Sequence, residues 1–359
     1  MDNKKKIGIL TLHRALNFGA VWQCYALQRA CESLGHKVET IDYNPFGHHT
    51  VKWAIRHRPL VAYSYLMYMW RLSRFVLTRL NLTGHTESHE WIKNHPPQDN
   101  IYIVGSDTVW SNSLVGEHLK SFLLDFAPSN VRRISYAAST GGNPLELNEE
   151  ELAELRKFSA ISVREKQVVP NIQEKVDVPV VDVCDPTLLL MQDDYAQLEQ
   201  RPRWLPKHYI VHSDMARDVF CADAARQISK QLNIPILNLA GIYKSWARRN
   251  YLAPTPEQWL YIIHYADFVC TNSFHGVAFS IIYNRPFICC AAKTGGRAKA
   301  NGRVLNLLEQ TGFSHRYVSE LSQISTELIH DTTDIERSAA KVEKYRNRSL
   351  QWLKNAIEL

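Results

Sequence analysis

The chain reads as an α/β protein of two alternating halves, with a cleft between them and a long closing helix. Three observations predict this. Short apolar runs alternate with amphipathic helical stretches along the chain. The first forty or so residues read strand, glycine turn, helix, strand, the βαβ unit that calls for a parallel sheet. A valine- and proline-rich stretch, Val176-Asp177-Val178-Pro179-Val180-Val181, separates one such series from a second.

Ile7-Gly8-Ile9-Leu10-Thr11-Leu12 is a short apolar run and reads as a buried strand. His13 to Gly19 is a polar turn. Ala20 to Leu34 has helical periodicity and stops at Gly35, and Lys37 to Tyr43 reads as the second strand. The stretch from Pro45 to His85 breaks the alternation. It has no acidic residue, and none stands between Asp42 and Glu87. Lys52, Arg56, Arg58, Arg71, Arg74 and Arg79 are interleaved there with Trp53, Tyr63, Tyr65, Tyr68, Trp70 and Phe75. This reads as a helical insertion. It suits an anionic membrane surface; the plainer alternative is a helical pair packed on the sheet with a solvated basic edge.

Ile101–Val104 and Arg133–Ala138 follow as strands, Glu149–Phe158 as a polar helix, and Ala160–Glu165 as a short strand. The second series has strands at Tyr209–His212, Pro235–Leu239, Phe268–Thr271 and Pro286–Ile288. Its helices lie at Ala216–Leu232, Pro254–His264 and Val277–Tyr283. Ile335–Ala356 places Val342, Tyr345, Leu350 and Leu353 on one face of a closing helix. The expected domains are therefore 1–175, carrying the insertion at about 45–90, then 176–330, then the closing helix 331–359.

The 359 residues, 45% hydrophobic and 22% charged, hold ample core for two domains. No apolar run reaches the roughly 18 residues of a membrane span. Lys4-Lys5-Lys6 leads directly into a strand, with no signal-peptide pattern, so a soluble cytoplasmic protein is expected. Seven cysteines at irregular spacing, none in a CxxC pair, argue against a disulfide framework or a structural zinc site. A net charge of +6 suits an anionic ligand or membrane surface. Without a basic tail, zinc knuckle or aromatic RNA-binding motif, nucleic acid is not an expected partner.

Open α/β sheets bind ligands at the carboxyl ends of their strands, so polar residues directly after strands are the candidates. Asn17-Phe18-Gly19 follows the first strand, where glycine allows close backbone approach. It does not make a GxGxxG fingerprint. Ser106, Asp107 and Trp110 follow the third strand. A carboxylate beside an exposed tryptophan suits sugar recognition or acid–base work, and an N-cap aspartate with a packed tryptophan is the plainer alternative. Arg164 stands at a strand tip, able to fork onto a carboxylate or phosphate or to pair with Glu165. Thr271-Asn272-Ser273-Phe274-His275-Gly276 joins a strand to an apolar helix. The helix start there offers N–H groups to a phosphate, and His275 can move a proton near neutral pH. Lys293 to Arg297, then Asn301-Gly302-Arg303, form a cationic glycine-containing loop suited to a phosphate clamp or lid. There is no GxSxG or HExxH, and no His/Asp pair at metal spacing, so neither a metal nor a bound cofactor is expected.

Taken in order, these stretches resemble the polysaccharide pyruvyl transferase family. The matching segments are Lys6–Leu10 through Asn17–Ala20, Tyr102–Trp110, Ile134–Ser139, Ile161–Glu165, Asp185–Leu189, and Thr271–Gly276 with Asn284–Phe287, together roughly residues 6–310. Each is short; their joint order is far more specific. The resemblance implies two Rossmann-like domains arranged as in GT-B glycosyltransferases. It implies transfer of a pyruvyl group from phosphoenolpyruvate to two hydroxyls of a sugar in cell-surface polysaccharide biosynthesis. His275 matches the family's proposed acid or base, and Arg164 matches a donor-binding arginine. Ser273 stands where the family motif has arginine, so donor binding leans on Arg164 with Arg297 or Arg303. Asp107 is expected to assist at a saccharide acceptor, with Asn17, Gly19, Ser106, Trp110, Ser273 and Gly276 lining the substrates. A lipid-linked acceptor and peripheral contact with the inner membrane face through residues 45–85 fit the basic aromatic insertion. A GT-B glycosyltransferase using a nucleotide sugar, and a non-catalytic carbohydrate-binding module, are the competing functions.

Overall fold

Two parallel six-stranded sheets organise the computed structural model, which describes residues 4–46, 59–215, 218–239, 243–293 and 301–359. The chain divides into two units. The first comprises residues 1–53, 73–190 and 346–359, and the second 54–72 and 191–345.

The first sheet has the order β2-β1-β3-β4-β5-β6. Its strands are β1 (Lys6–Leu10), β2 (Lys37–Thr40), β3 (Ile101–Val104), β4 (Arg132–Ala138), β5 (Ala160–Val163) and β6 (Val180–Asp182). β3 and β5 are buried along their whole length, as strands covered on both faces must be, which is why they read as unbroken apolar runs. Asn17 caps the helix Phe18–Ser33 by accepting from the Gly19 N–H, and Gly35 ends it in the left-handed region at φ 94°. The free edge of β2 is covered by residues 81–86, between the two helices of the insertion. Leu82 and Thr86 bridge to Thr40 and Tyr43, and the Asn81 amide donates to the Val38 carbonyl.

The stretch read as a domain junction near residue 176 lies inside the first unit, because Val180–Asp182 pairs with β5 as the edge strand β6. Pro179 has no N–H to give a ladder and suggested a linker, but proline is tolerated at the start of an edge strand. The closing helix runs over Thr333–Glu358, and from Arg346 it belongs to the first unit. There the Ser349 hydroxyl accepts from the Cys184 N–H at 2.9 Å, and Arg348 pairs with Asp182 at 2.9 Å. Lys5 and Arg132 donate to the last carbonyls, Ala356 and Ile357, so two cations sit where the helix dipole favours them.

The insertion contains the helices Pro59–Arg79 and His89–Asn94. Phe75 packs edge-on against Trp22 with ring centroids 4.7 Å apart. Lys52, Trp53, Arg56 and Arg58 lie outside the described residues.

The second sheet has the order β12-β11-β10-β7-β8-β9. Its strands are β7 (Ile210–Ser213), β8 (Ile236–Asn238), β9 (Arg249–Asn250), β10 (Phe268–Thr271), β11 (Phe287–Cys290) and β12 (Tyr317–Val318). It winds outward in both directions from β7 and β10, the doubly wound order of dinucleotide-binding sheets. The first sheet reverses instead between β1 and β3. Each unit therefore has its own switch point, where a crevice opens at the strand ends. All seven cysteines are buried and free. Among the described residues no helix is long and apolar enough to cross a membrane.

Candidate functional site

In the first unit the switch point is built by the ends of β1 and β3. The Thr11 hydroxyl donates to the Ser106 carbonyl at 2.7 Å, and Gln23 donates to the Thr11 hydroxyl at 2.9 Å, which ties the two strand ends together. Asp107 follows at φ 73°. A non-glycine residue there costs on the order of 1–3 kcal/mol and persists only when its surroundings fix it. They do: its carboxylate accepts from the Thr108 N–H at 2.9 Å, and its carbonyl accepts from the Val109 and Ser139 N–H groups.

Trp110 is not the exposed platform expected from the sequence. It is fully buried, donates its indole N–H to the Phe122 carbonyl at 3.0 Å and meets Phe158 edge-on. The left-handed turn at Asp107 swings the following residues back into the core, so adjacency to a strand tip did not mean exposure.

Arg164 also departs from expectation. Its guanidinium is buried, donating to Asp185 at 3.0 Å and to Glu165 at 3.3 Å. The Ser106 hydroxyl donates to the same Asp185 oxygen at 3.0 Å, Thr187 holds the other, and Ser139 donates to Glu165 at 2.5 Å. Burial opposes the charge on Arg164, but Glu165, Asp185 and Asp107 outweigh it and raise its pKa. A guanidinium engaged by two carboxylates anchors the strand tips β3, β4, β5 and β6 rather than offering a donor clamp. Sequence reasoning saw Glu165 next door but not Asp185, which the fold brings in from beyond β6.

A second ion cluster in this unit was missed. Asp42, after β2, takes both arms of Arg14 at 2.5 Å, His13 at 3.0 Å and His85 at 3.3 Å. Burial would raise the Asp42 pKa, but the hydrogen bonds from Arg14 and His13 prevail and hold it well below the usual carboxylate range. The signal was present as His13-Arg14 in the first strand-to-helix turn, without a visible partner.

In the second unit the ends of β7 and β10 flank the switch point. The Thr271 hydroxyl donates to the Ser213 carbonyl at 2.8 Å and accepts from the Ser273 N–H at 3.0 Å. Ser273 is the N-cap of the helix Phe274–Ile282, its hydroxyl accepting from the Gly276 N–H at 3.3 Å. A Cβ on Gly276 would lie 2.6 Å from the Thr271 hydroxyl, so only glycine fits this close strand–helix crossing. His275 sits buried in that first turn, edge-on to Phe274 at 5.1 Å. Three residues before it, Asn272 Nδ2 donates to Asp214 at 2.7 Å, and Asn272 Oδ1 accepts from the Met215 N–H. The second Asp214 oxygen has no hydrogen-bond partner among the described residues.

His212 lies two residues before Asp214, and a side-chain relay sets its tautomer. Asn250 Oδ1 accepts from the Lys244 N–H and from Asn238 Nδ2. That leaves Asn238 Oδ1 facing His212 Nδ1 at 3.0 Å, so the Nδ1 carries the proton. Burial lowers the His212 pKa, which keeps the ring neutral.

Arg303 lies in the first turn of the helix Asn301–Thr311, partly buried, and Arg297 lies outside the described residues. The expected site residues thus fall into two groups: Asn17, Gly19, Ser106, Asp107, Trp110 and Arg164 in the first unit, and Ser273, His275, Gly276 and Arg303 in the second. Among the described residues no group of three His, Cys, Asp or Glu side chains is arranged to hold a metal ion.

Two doubly wound sheets, each with polar side chains gathered where its strand order reverses, define a ligand-binding α/β protein of two Rossmann-like units. The chain belongs to the polysaccharide pyruvyl transferase family, whose model matches residues 17–294, and is accordingly a transferase by family. No curated protein sequence matches it. Its fold is similar to the crystal structure of Arabidopsis thaliana UGT89C1 complexed with quercetin, with a TM-score of 0.53 at 10% identity over 99% of this chain and 100% of that one. It is also similar to S. aureus MnaA with UDP, with a TM-score of 0.52 at 13% identity over 93% and 91%. These likenesses are of fold, and two Rossmann-like units in one chain are the make-up of GT-B glycosyltransferases.

Proposed function

We propose that this protein transfers a pyruvyl group from phosphoenolpyruvate to two hydroxyls of one sugar, during assembly of a cell-surface polysaccharide. The products are a cyclic ketal and inorganic phosphate. The observation that supports this most is His275, in the first turn of Phe274–Ile282 at the second unit's switch point, within the matched region. In this reading the phosphoenolpyruvate methylene carbon takes a proton and becomes the methyl group. One sugar hydroxyl adds to the central carbon, the C–O bond to phosphate breaks, and the second hydroxyl closes the ketal. Of the two hydroxyl protons, one balances that gained by the methyl group and the other leaves to phosphate or water.

His275 carries one of these transfers, a role to which the imidazole side chain is suited. Asp107 assists at the acceptor hydroxyls. The donor carries a phosphate and a carboxylate. With Arg164 engaged by Asp185 and Glu165, this reading assigns those groups to the N–H groups at the helix start and to Arg303 and Arg297. The acceptor is a saccharide, in this reading carried on a lipid at the cytoplasmic membrane face.

The test is phosphate release from phosphoenolpyruvate with a panel of free and lipid-linked saccharides. Release that depends on one saccharide, and is lost in His275→Ala, is the expected result. No binding of phosphoenolpyruvate in any condition, with protection by a nucleotide sugar instead, would reject the reading in favour of glycosyl transfer. Sugar binding without turnover of either donor would leave a carbohydrate-binding module.

A further inference from the structure

The helix Pro59–Arg79 buries Leu72, Phe75 and Val76. On the other side it exposes large apolar side chains: Tyr63 is 69% exposed, Leu66 39%, Trp70 54% and Leu77 62%. At 3.6 residues per turn, positions 63, 66, 70 and 77 fall within an arc of about 60°, running about 20 Å along the axis. The buried residues lie on the opposite side. Scattered exposed apolar residues are ordinary, but four aligned on one helical face form a patch of the kind that marks an interaction surface.

The chemistry of the stripe selects its occupant. Exposed Arg74 borders this arc, about 20° beyond the Tyr63 position, whereas Arg71 turns toward the buried side and donates to the Ala253 carbonyl. No acidic residue stands in the sequence from 43 to 86. Tyrosine and tryptophan present an apolar body with a polar tip, the combination favoured at the headgroup level of a bilayer. An arginine along the edge of the stripe would be brought toward the same charge on a second copy of the helix packed there, whereas lipid phosphates accept it.

We propose that the Tyr63–Leu66–Trp70–Leu77 face of this helix docks on an anionic phospholipid surface, with Arg74 at its edge contacting lipid phosphates. Binding of this kind needs no substrate and no turnover, so it stands or falls separately from the pyruvyl-transfer reading.

The experiment is co-sedimentation of the full chain with vesicles of phosphatidylcholine alone and of phosphatidylcholine containing about a quarter phosphatidylglycerol. The full chain should pellet with the anionic vesicles, and raised salt should weaken this. Trp70→Ser/Leu77→Ser and, separately, Arg74→Glu should reduce the bound fraction about tenfold while the thermal unfolding midpoint stays within a degree or two, since all three side chains are exposed. Undiminished binding by both variants, equal binding to neutral vesicles, or no vesicle binding at all overturns the proposal. A solution mass of two chains that falls to one in the double variant also overturns it, assigning the stripe to self-association.

Discussion

The two switch points, each a reversal of strand order in a parallel sheet, are used to opposite ends. In the first unit the charges at the strand tips are paired with one another: Arg164 with Asp185 and Glu165, and Arg14 with Asp42. In the second unit a histidine follows a strand at a helix start pinned by glycine, and Asp214 keeps one oxygen without a hydrogen-bond partner among the described residues. A charged residue at a strand tip is thus no functional signal by itself. What matters is whether another strand tip already supplies its counter-charge. In the first unit, strand order brings β6 beside β5 and so Asp185 against Arg164; in the second, no cation pairs with Asp214 among the described residues.

The largest expected effect separates these roles directly. His275→Ala should lower phosphate release from phosphoenolpyruvate by about 10²- to 10⁴-fold, the usual range for a proton-transfer residue, with an unfolding midpoint close to that of the parent. A midpoint that collapses along with activity would make His275 a core residue and erase the contrast between the two units. Arg164→Met should behave in the reverse way. Removing the guanidinium leaves Asp185 and Glu165 buried without their cation, a loss of about 3–5 kcal/mol when one partner of a buried pair is deleted. Urea denaturation should register it even without substrate. A variant of unchanged stability but abolished phosphoenolpyruvate binding would return Arg164 to the donor site.

Gly276→Ala is the next effect in size. The added Cβ meets the Thr271 hydroxyl at 2.6 Å, and that hydroxyl is held by the Ser213 carbonyl and the Ser273 N–H. Strain of about 1–3 kcal/mol follows from such overpacking. Because the shift passes through Ser273 to the helix start, kcat should fall more than the unfolding midpoint predicts. A purely thermal effect, with kcat intact at low temperature, would detach the helix start from the chemistry.

Much of this was legible in the sequence, for reasons of locality. Strands buried on both faces declare themselves as apolar runs, and β3 and β10 span the residues their sequence suggested. Ser106, Asp107, Ser273 and His275 could be picked out because a strand's end also locates its tip. Elements that depend on distant partners were not legible. β9 and β12 are two residues long and owe their existence to β8 and β11. β6 hid behind Pro179. Asp185 and Asp42 complete their ion clusters from 21 and 28 residues away. The burial of Trp110 follows from a backbone reversal at Asp107 that no side-chain pattern announces.

Asp99 gives the smallest expected effect and the sharpest test of how completely the first unit neutralises its charges. It lies buried beside β1 with Lys6 at 3.3 Å, and Glu39 shares that lysine at 3.1 Å. Burial first, then the charge of Glu39, push its pKa up to about 6, and Lys6 offsets this only in part. The sign is opposite to that of Asp42. A carboxyl whose pKa is raised by folding binds its proton more tightly in the native state, so stability falls as pH rises from about 4 to about 6.5 and the deficit persists above that. Asp42, held low by Arg14 and His13, contributes stability above the unfolded value near 4 and loses it as pH falls below that. Asp99→Asn should therefore flatten the fall in stability between pH 4 and 6.5 and raise stability at pH 7 by about 1–2 kcal/mol, less whatever the Lys6 contact contributes. Denaturation midpoints at pH 4, 5.5 and 7 measure it. An identical pH profile in parent and variant would mean that Lys6 neutralises Asp99 fully, and the first unit would then be as closed at β1 as it is at Arg164.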